Sequence, residues 1–255
     1  MFNKQLKLSC TLFFLVVMNF KTMAQSNIII ENKIDNENTI HILDENAKPA
    51  AKILKSYLDK SFLNPFFIKI ENNNDKNTAT IHLKISNSKN QKDSNSFLIK
   101  SDSKDVFLIA SNTKLLRYAV YTLLEIWGFR KFTAKDTYIP KLKKVEFPKN
   151  TTQNFKPSFE YRVLLYPDAY DEDFRDWHKL DWHLNDFSVW GHSFDKLLPP
   201  KEYFKTNPEY YALYEGNRRA ESLCMTNNTV IEQVKKKTKK IITENPNATF
   251  FSVSQ

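Results

Sequence analysis

Between Asn112 and Gly128 the apolar residues fall at Leu115, Leu116, Ala119, Val120, Leu123 and Leu124. That three-and-four spacing gathers side chains on one face of an α-helix. Ser111 or Asn112 can cap its start, and Gly128 supplies its stop. A face this apolar has to be covered by another layer. The flanking sequence supplies one. Asn27 to Glu31, Thr39 to Leu43, Phe66 to Ile70, Thr80 to Ile85, Phe97 to Lys100 and Val106 to Ala110 are short runs of strand-forming residues. Asn46 to Leu63 repeats the helical spacing at Ala47, Ala50, Ala51, Leu54, Tyr57 and Leu58. Asn72 to Asn77 is a polar turn cluster, and Asp102 to Asp105 reads as a hairpin turn. Residues 26–149 are therefore expected to form a sheet with helices packed on it, an α/β or α+β domain.

Val145 to Pro157 is mostly polar, with a proline near each end, and reads as a linker. Beyond it the pattern predicts a strand at Phe159 to Leu165, an aromatic-rich helix at Asp171 to Leu184 and loops over 195–228. A helix at Asn228 to Glu244 and a strand at Thr249 to Val253 follow. Strand, long excursion, helix, strand is the opening of a barrel or of a doubly wound fold. A closed eight-fold barrel takes about 250 residues, and about 100 follow the linker. The expected organisation is a leader over 1–24, an α/β domain over 25–152, and the first part of an incomplete (β/α)8 barrel over 153–255.

The first residues have the three-part build of a secretory signal. Lys4 and Lys7 are basic, Leu12 to Val17 is a short apolar run, and Thr22-Met23-Ala24 supplies small residues at the cleavage point. The run falls short of the about 20 apolar residues a membrane span needs. Export to the periplasm or beyond is expected, with no stable membrane span. The full chain carries a formal charge of +9; Lys4, Lys7 and Lys21 leave with the leader, so 9 − 3 gives +6. The densest basic run, Lys235 to Lys240, lies between apolar pairs and reads as the solvated face of a helix, not a nucleic-acid surface. Of two cysteines, Cys10 precedes the cleavage point, leaving Cys224 and no intramolecular disulfide. Its apolar neighbours suggest a buried, inert thiol. With three glycines in the chain there is no phosphate-cradling loop, and no cofactor is expected.

The segment Tyr118-Ala119-Val120-Tyr121-Thr122-Leu123-Leu124-Glu125 with Gly128-Phe129-Arg130, then Ile139-Pro140, resembles the end of the domain that precedes the barrel in β-hexosaminidases and α-glucuronidases. Five further motifs follow in order. They are Pro157 to Arg162, Trp190 to Phe194, Tyr203 to Leu213, Leu223 to Asn227, and Phe251 to Gln255. Together they are similar to a bacterial family known only as a domain of unknown function. Part of that family is classed as glycoside hydrolase family 163, endo-acting β-N-acetylglucosaminidases on N-glycans. The resemblance implies a glycan substrate, and it implies that the sugar-cleaving acids lie on later barrel strands. Asn228 departs from the family, where proline usually follows the Thr-Asn pair.

Cleaving a glycoside takes a general acid plus a nucleophile, a base or a substrate acetamide. Candidate substrate contacts are Arg162, Trp190, His192, Asn227, Ser252 and Gln255. Arg162 offers a fixed fork of donors that suits paired sugar oxygens, or it forms an ion pair with Glu160 or a helix carboxylate. Gly191 lets backbone approach a ligand, Trp190 presents an apolar face to a sugar ring, and His192 donates or accepts. Asn227, Ser252 and Gln255 are polar groups at expected loop or strand ends. His178 and His183 around Asp181 fall about 140° apart on an ideal helix and make a poor metal pair. Asp168 to Asp173 lacks the calcium-loop pattern, and no G-x-S-x-G nucleophile signature is present. The competing functions are a glycoside hydrolase acting on N-acetylglucosamine-containing glycans, inactive over these residues alone; a non-catalytic carbohydrate-binding protein; and an α-glucuronidase relative.

Overall fold

The computed structural model describes residues 26–31, 38–70, 80–86 and 96–254. The expected leader, Cys10, the Asn72 to Asn77 turn and Gln255 lie outside them. The chain divides into two compact units, one ending at Glu160 and one starting at Tyr161.

The first unit is a mixed α/β layer. Its strands are β1 (Asn27–Glu31), β2 (Asn38–Ile42), β3 (Phe66–Ile70), β4 (Ile81–Ile85), β5 (Phe97–Ser101), β6 (Val106–Ala110), β7 (Arg130–Lys131), β8 (Thr137–Tyr138), β9 (Lys144–Pro148) and β10 (Thr152–Phe155). Six of them form a sheet in the order β10-β5-β6-β4-β2-β3. The β3-β2-β4-β6 core is parallel, and β5 and β10 add antiparallel at one edge. Helices α1 (Lys48–Ser61) and α2 (Thr113–Ile126) pack on this sheet and on each other. Ile40, Ile42, Ile81, Leu83, Ile99 and Leu108 are buried, as are Leu54, Leu58, Leu116, Leu123 and Leu124 from the helices. Two buried layers with alternating strand residues between them are what the sequence periodicities predict.

The ends of α2 explain the motif that surrounds it. Asn112 accepts a hydrogen bond from the Leu115 amide at 2.9 Å. At the other end the Gly128 amide donates to Glu125 and the Phe129 amide to Leu124, with Gly128 at φ 92. This paired arrangement is a Schellman stop, and its left-handed position favours glycine. The Arg130 guanidinium then donates to the Glu125 carbonyl at 2.6 Å, neutralising the helix's carbonyl end. The Trp127 indole donates to Glu146 on β9.

Val145 to Pro157 is not a linker. Lys144 to Pro148 pairs antiparallel with β1, the chain turns at Asn150 (φ 52), and Thr152 to Phe155 completes the sheet edge. Its alternation of polar and apolar residues over a few positions is the signature of an edge strand, which composition alone does not separate from a linker. Ser101 Oγ anchors the turn by donating to the Pro148 carbonyl and accepting from the Thr151 amide.

The second unit contains α3 (Glu172–Trp177), α4 (His183–Asp186), β11 (Phe187–Val189), α5 (Phe194–Leu197), α6 (Pro200–Tyr203), β12 (Tyr211–Tyr214), β13 (Asn217–Leu223), α7 (Asn228–Glu244) and β14 (Phe250–Phe251). Strands β12 and β13 form a hairpin whose turn residues, Glu215 and Gly216, both have positive φ, the geometry that matches strand twist. Phe194, Leu197, Leu198, Tyr211, Leu223, Val230 and Val234 form its core with the inner face of α7. Strand β11 pairs parallel with β14, which the chain reaches through α7.

Two expectations for this unit are corrected. The helix expected over Asp171 to Leu184 is two short helices, because Lys179 takes φ 58 and turns the chain between them. Phe159 to Leu165 joins no strand ladder among the described residues; the Arg162 carbonyl accepts from the Asp181 amide, and the Arg162 amide donates to the Asp181 carboxylate. The second unit therefore contains one parallel strand pair among the described residues, and this is what is seen where a barrel was expected.

Candidate functional site

The parallel pairing of β11 with β14 determines which candidate residues meet. Beyond β11 the chain runs through Trp190, Gly191 and His192, and beyond β14 through Ser252 and Ser254. The Ser252 amide donates to Val189 and continues the ladder. Ser252 Oγ donates to the Gly191 carbonyl at 2.7 Å, and Ser254 Oγ donates to the same carbonyl at 3.1 Å. Ser193 closes the arrangement. It is fully buried, its hydroxyl accepts from the Ser254 amide at 2.9 Å, and its own amide donates to the Ser254 carbonyl at 2.9 Å. Residues about 60 apart in sequence are thereby locked side by side. Gly191 has φ 71, a left-handed conformation that favours glycine.

Trp190 lies half-buried on an aromatic cluster. Its ring centroid is 4.4 Å from His183 and 4.6 Å from Phe187, the latter edge-on. Trp182 also packs on His183, at 4.4 Å, and the Arg175 guanidinium lies 4.4 Å from the Trp182 ring. Tyr161 extends the cluster against Phe187 and Phe250. His192 is exposed on the same loop.

Arg162 is held in place from within the unit. Its Nε donates to the Lys179 carbonyl at 2.7 Å, and its guanidinium sits 3.8 Å from Asp181, with side chains 17% and 11% exposed. The Arg162 amide also donates to the Asp181 carboxylate at 2.8 Å, and the Asp181 amide donates to the Arg162 carbonyl at 2.7 Å. The ion pair open at the sequence level is thus formed with Asp181, a residue of the turn after α3. Asn227 is engaged elsewhere, at the start of α7, where its side chain accepts from the Thr229 amide and donates to the Glu209 carbonyl. Of the six candidates, Trp190, His192 and Ser252 come together; Arg162 adjoins them through Tyr161, Asn227 does not join them, and Gln255 is outside the described residues.

Three side chains in this region show no sequence signal as ligand contacts. His183 is 4% exposed, and its Nδ1 makes no hydrogen bond. The hydroxyls of Tyr161 and Ser188 are buried and likewise unpaired. A buried polar atom without a partner costs about 1–3 kcal/mol, so a group of three is conspicuous. Burial, helped by Asp186 and Asp181, pushes the Tyr161 phenol up to about 12.

Cys224 is partly exposed, not buried as expected. Its thiol lies 3.4 Å from the Thr226 hydroxyl, and that contact, with Arg218, lowers its pKa. Among the described residues no group of three His, Cys, Asp or Glu side chains could hold a metal ion. No helix among them is long and apolar enough to cross a membrane.

No curated protein matches the sequence. Among solved structures, Streptomyces plicatus N-acetyl-β-hexosaminidase in complex with Thio-NAglucal aligns at 14% identity and a TM-score of 0.39, over 88% of this chain and 42% of that one. A Vibrio harveyi GH20 exo-β-N-acetylglucosaminidase in complex with N-acetylglucosamine aligns at 16% identity and a TM-score of 0.37, over 54% of this chain and 18% of that one. A GH115 4-O-methyl-α-glucuronidase with specificity for decorated arabinogalactans aligns at 12% identity and a TM-score of 0.38, over 53% and 19%. This chain thus spans about a fifth of the length of the last two. Residues 131–255, which take in the whole second unit and the last strands of the first, match the family model described as domain of unknown function DUF4838.

Proposed function

We propose that this chain carries glycan-recognition elements of a secreted glycoside hydrolase acting on N-acetylglucosamine-containing glycans, related to the part of the unknown-function family classed as glycoside hydrolase family 163. The observation that carries the reading is the convergence at β11 and β14. Two of the ordered family motifs, Trp190 to Phe194 and Phe251 to Ser254, are far apart in sequence yet share hydrogen bonds through Gly191, Ser193, Ser252 and Ser254. The match of residues 131–255 to a family model supports the same assignment. A parallel strand pair reached through a helix is the repeating unit of a (β/α)8 barrel, so β11, α7 and β14 are read as part of one. Trp190 supplies a ring face for a sugar, and the surrounding hydroxyls supply orientation.

The converging groups are rings, hydroxyls and imidazoles, a set suited to binding, and this favours glycan binding without turnover as the second reading. The experiment is a titration of the purified chain with N-acetylglucosamine and a complex N-glycan, alongside a chromogenic N-acetylglucosaminide. Saturable binding that is lost in Trp190→Ala, with little or no hydrolysis over these residues, is the expected result. Failure of the glycans to bind, or selective binding of glucuronic acid, sinks the reading.

A further inference from the structure

Among the described residues of the second unit, three of the four buried side-chain atoms without a partner lie around β11, the fourth being the Thr238 hydroxyl on α7. His183 is the clearest of them. It is 4% exposed, held between the indoles of Trp182 and Trp190, and its Nδ1 has no partner. A purely structural position of this kind suits an apolar side chain, because a ring nitrogen shut away from water loses hydration and receives nothing in return. The Tyr161 hydroxyl is in the same condition, on the Phe187 and Phe250 rings that continue the cluster. Unsatisfied groups that persist in a packed region point to a partner supplied from outside.

Trp190, itself half-buried, packs on the His183 ring at 4.4 Å. Its indole lies on both the imidazole and the Phe187 ring, while its backbone is anchored by the Lys196 ammonium on its carbonyl and by the serine bonds to Gly191. Rotation of the indole on its anchored backbone would open one side of the imidazole, with Trp182 remaining against it.

We propose that His183, covered by the Trp190 indole, is the hydrogen-bonding residue of a subsite for an uncharged sugar. The inference rests on the glycan-binding reading above and names the residue and substrate class for it. A neutral imidazole offers one donor and one acceptor, which suits hydroxyl or acetamide groups, and an indole suits the C–H face of a pyranose. The charges of Arg162 and Asp181 offset each other, the Arg175 guanidinium on Trp182 is held by the Ala169 carbonyl, and the Asp186 carboxylate beside Tyr161 opposes an anionic sugar. A uronate is therefore disfavoured.

The test uses the full chain with N-acetylglucosamine and glucuronic acid as probes. Indole fluorescence and the imidazole nitrogen resonances of His183 are followed. N-acetylglucosamine is expected to shift both at saturation, and glucuronate is expected to bind about tenfold more weakly. His183→Leu should raise the thermal midpoint, since it removes the unpaired nitrogen, and weaken binding by about tenfold or more. If the parent chain binds N-acetylglucosamine and His183→Leu binds it equally well, the subsite inference falls while the proposed function stands. If the parent chain binds no N-acetylglucosamine glycan, both fall. Preferential binding of glucuronate overturns the choice of an uncharged sugar. Should His183→Leu not fold, unmoved His183 resonances in the saturated parent chain overturn the inference by themselves.

Discussion

Arg162 shows how one side chain can be legible in kind and not in role. Its fork of donors is visible in sequence, but whether that fork faces a sugar or a carboxylate depends on Lys179 turning the chain at φ 58 and bringing Asp181 back to it. Nothing local in the sequence marks Lys179 for the left-handed region, which tertiary contacts impose. With both partners mostly buried, Arg162→Ala removes the guanidinium paired with Asp181 and should destabilise the second unit by about 3 kcal/mol, read as a drop in denaturant midpoint by tryptophan fluorescence. Arg162→Lys keeps the charge but not the planar fork and should recover only part of that loss. Tyr161 carries a second residue-scale prediction. Its phenol titrates at about 12 in the fold against an ordinary 10.0. Between those values the unfolded chain has lost the proton and the folded chain has kept it, so stability falls as pH rises through this window and is unaffected below it. Tyr161→Phe removes an unpaired hydroxyl and should be neutral or stabilising by about 1 kcal/mol at neutral pH. It should also flatten the alkaline loss, which stability measurements across that range would detect. An alkaline slope unchanged in Tyr161→Phe would show that another group is responsible.

At the scale of elements, legibility follows how much of the structural cause is local. Helix α2 is readable almost to the residue because its face, its cap and its stop all lie within it. The same holds for α7, whose bounds match the expected Asn228 to Glu244. Strands β5 and β6 are readable because each alternates over a few positions against a buried face, and β3 and β4 because each is a short run of strand-forming residues. The failures are of another kind. Val145 to Pro157 owes its strands to β1 and to β5, partners remote in sequence. Aromatic residues from Phe174 to Trp182 have a helical density, yet they serve two short helices around a turn. The site is less legible still, since His183 and Tyr161 become notable only through what packs on them. Because α2 is locally specified, its caps are open to direct test. Asn112→Ala removes the acceptor of the Leu115 amide and should cost about 1 kcal/mol. Gly128→Ala places a Cβ at φ 92, with open space around it, so the loss of about 1 kcal/mol should come from backbone strain and not from a clash. Both are read from thermal unfolding by circular dichroism, and a Gly128→Ala variant as stable as its parent would remove Gly128 from the helix-stop argument.

For the whole molecule the central fact is that each unit has a core of its own. The first buries both helix faces on its sheet, and the second packs α5, the β12–β13 hairpin and α7 around Tyr211, whose hydroxyl donates to the Leu198 carbonyl. Composition gave an ample supply of aromatics but could not say how they would be shared, because that division is fixed by which strands close the first sheet. Strand β10 decides it. It pairs with β5 along Thr152 to Phe155, and Phe155 stacks on Phe97 at 5.1 Å. The structural edge of the first unit therefore lies beyond β10, at Glu160, and a boundary drawn at residue 152 would leave the β5 edge and the Phe97 ring uncovered. A fragment spanning 26–160 should accordingly unfold in one cooperative transition by circular dichroism and fluorescence. A fragment spanning 26–151 should keep the helical signal but be less stable by about 1–2 kcal/mol, the scale of uncovering one large aromatic side chain. Its newly open sheet edge should also make it prone to self-association, detectable by sedimentation. Equal stability of the two fragments would mean that β10 is an appendage of the sheet and that the first unit ends before it.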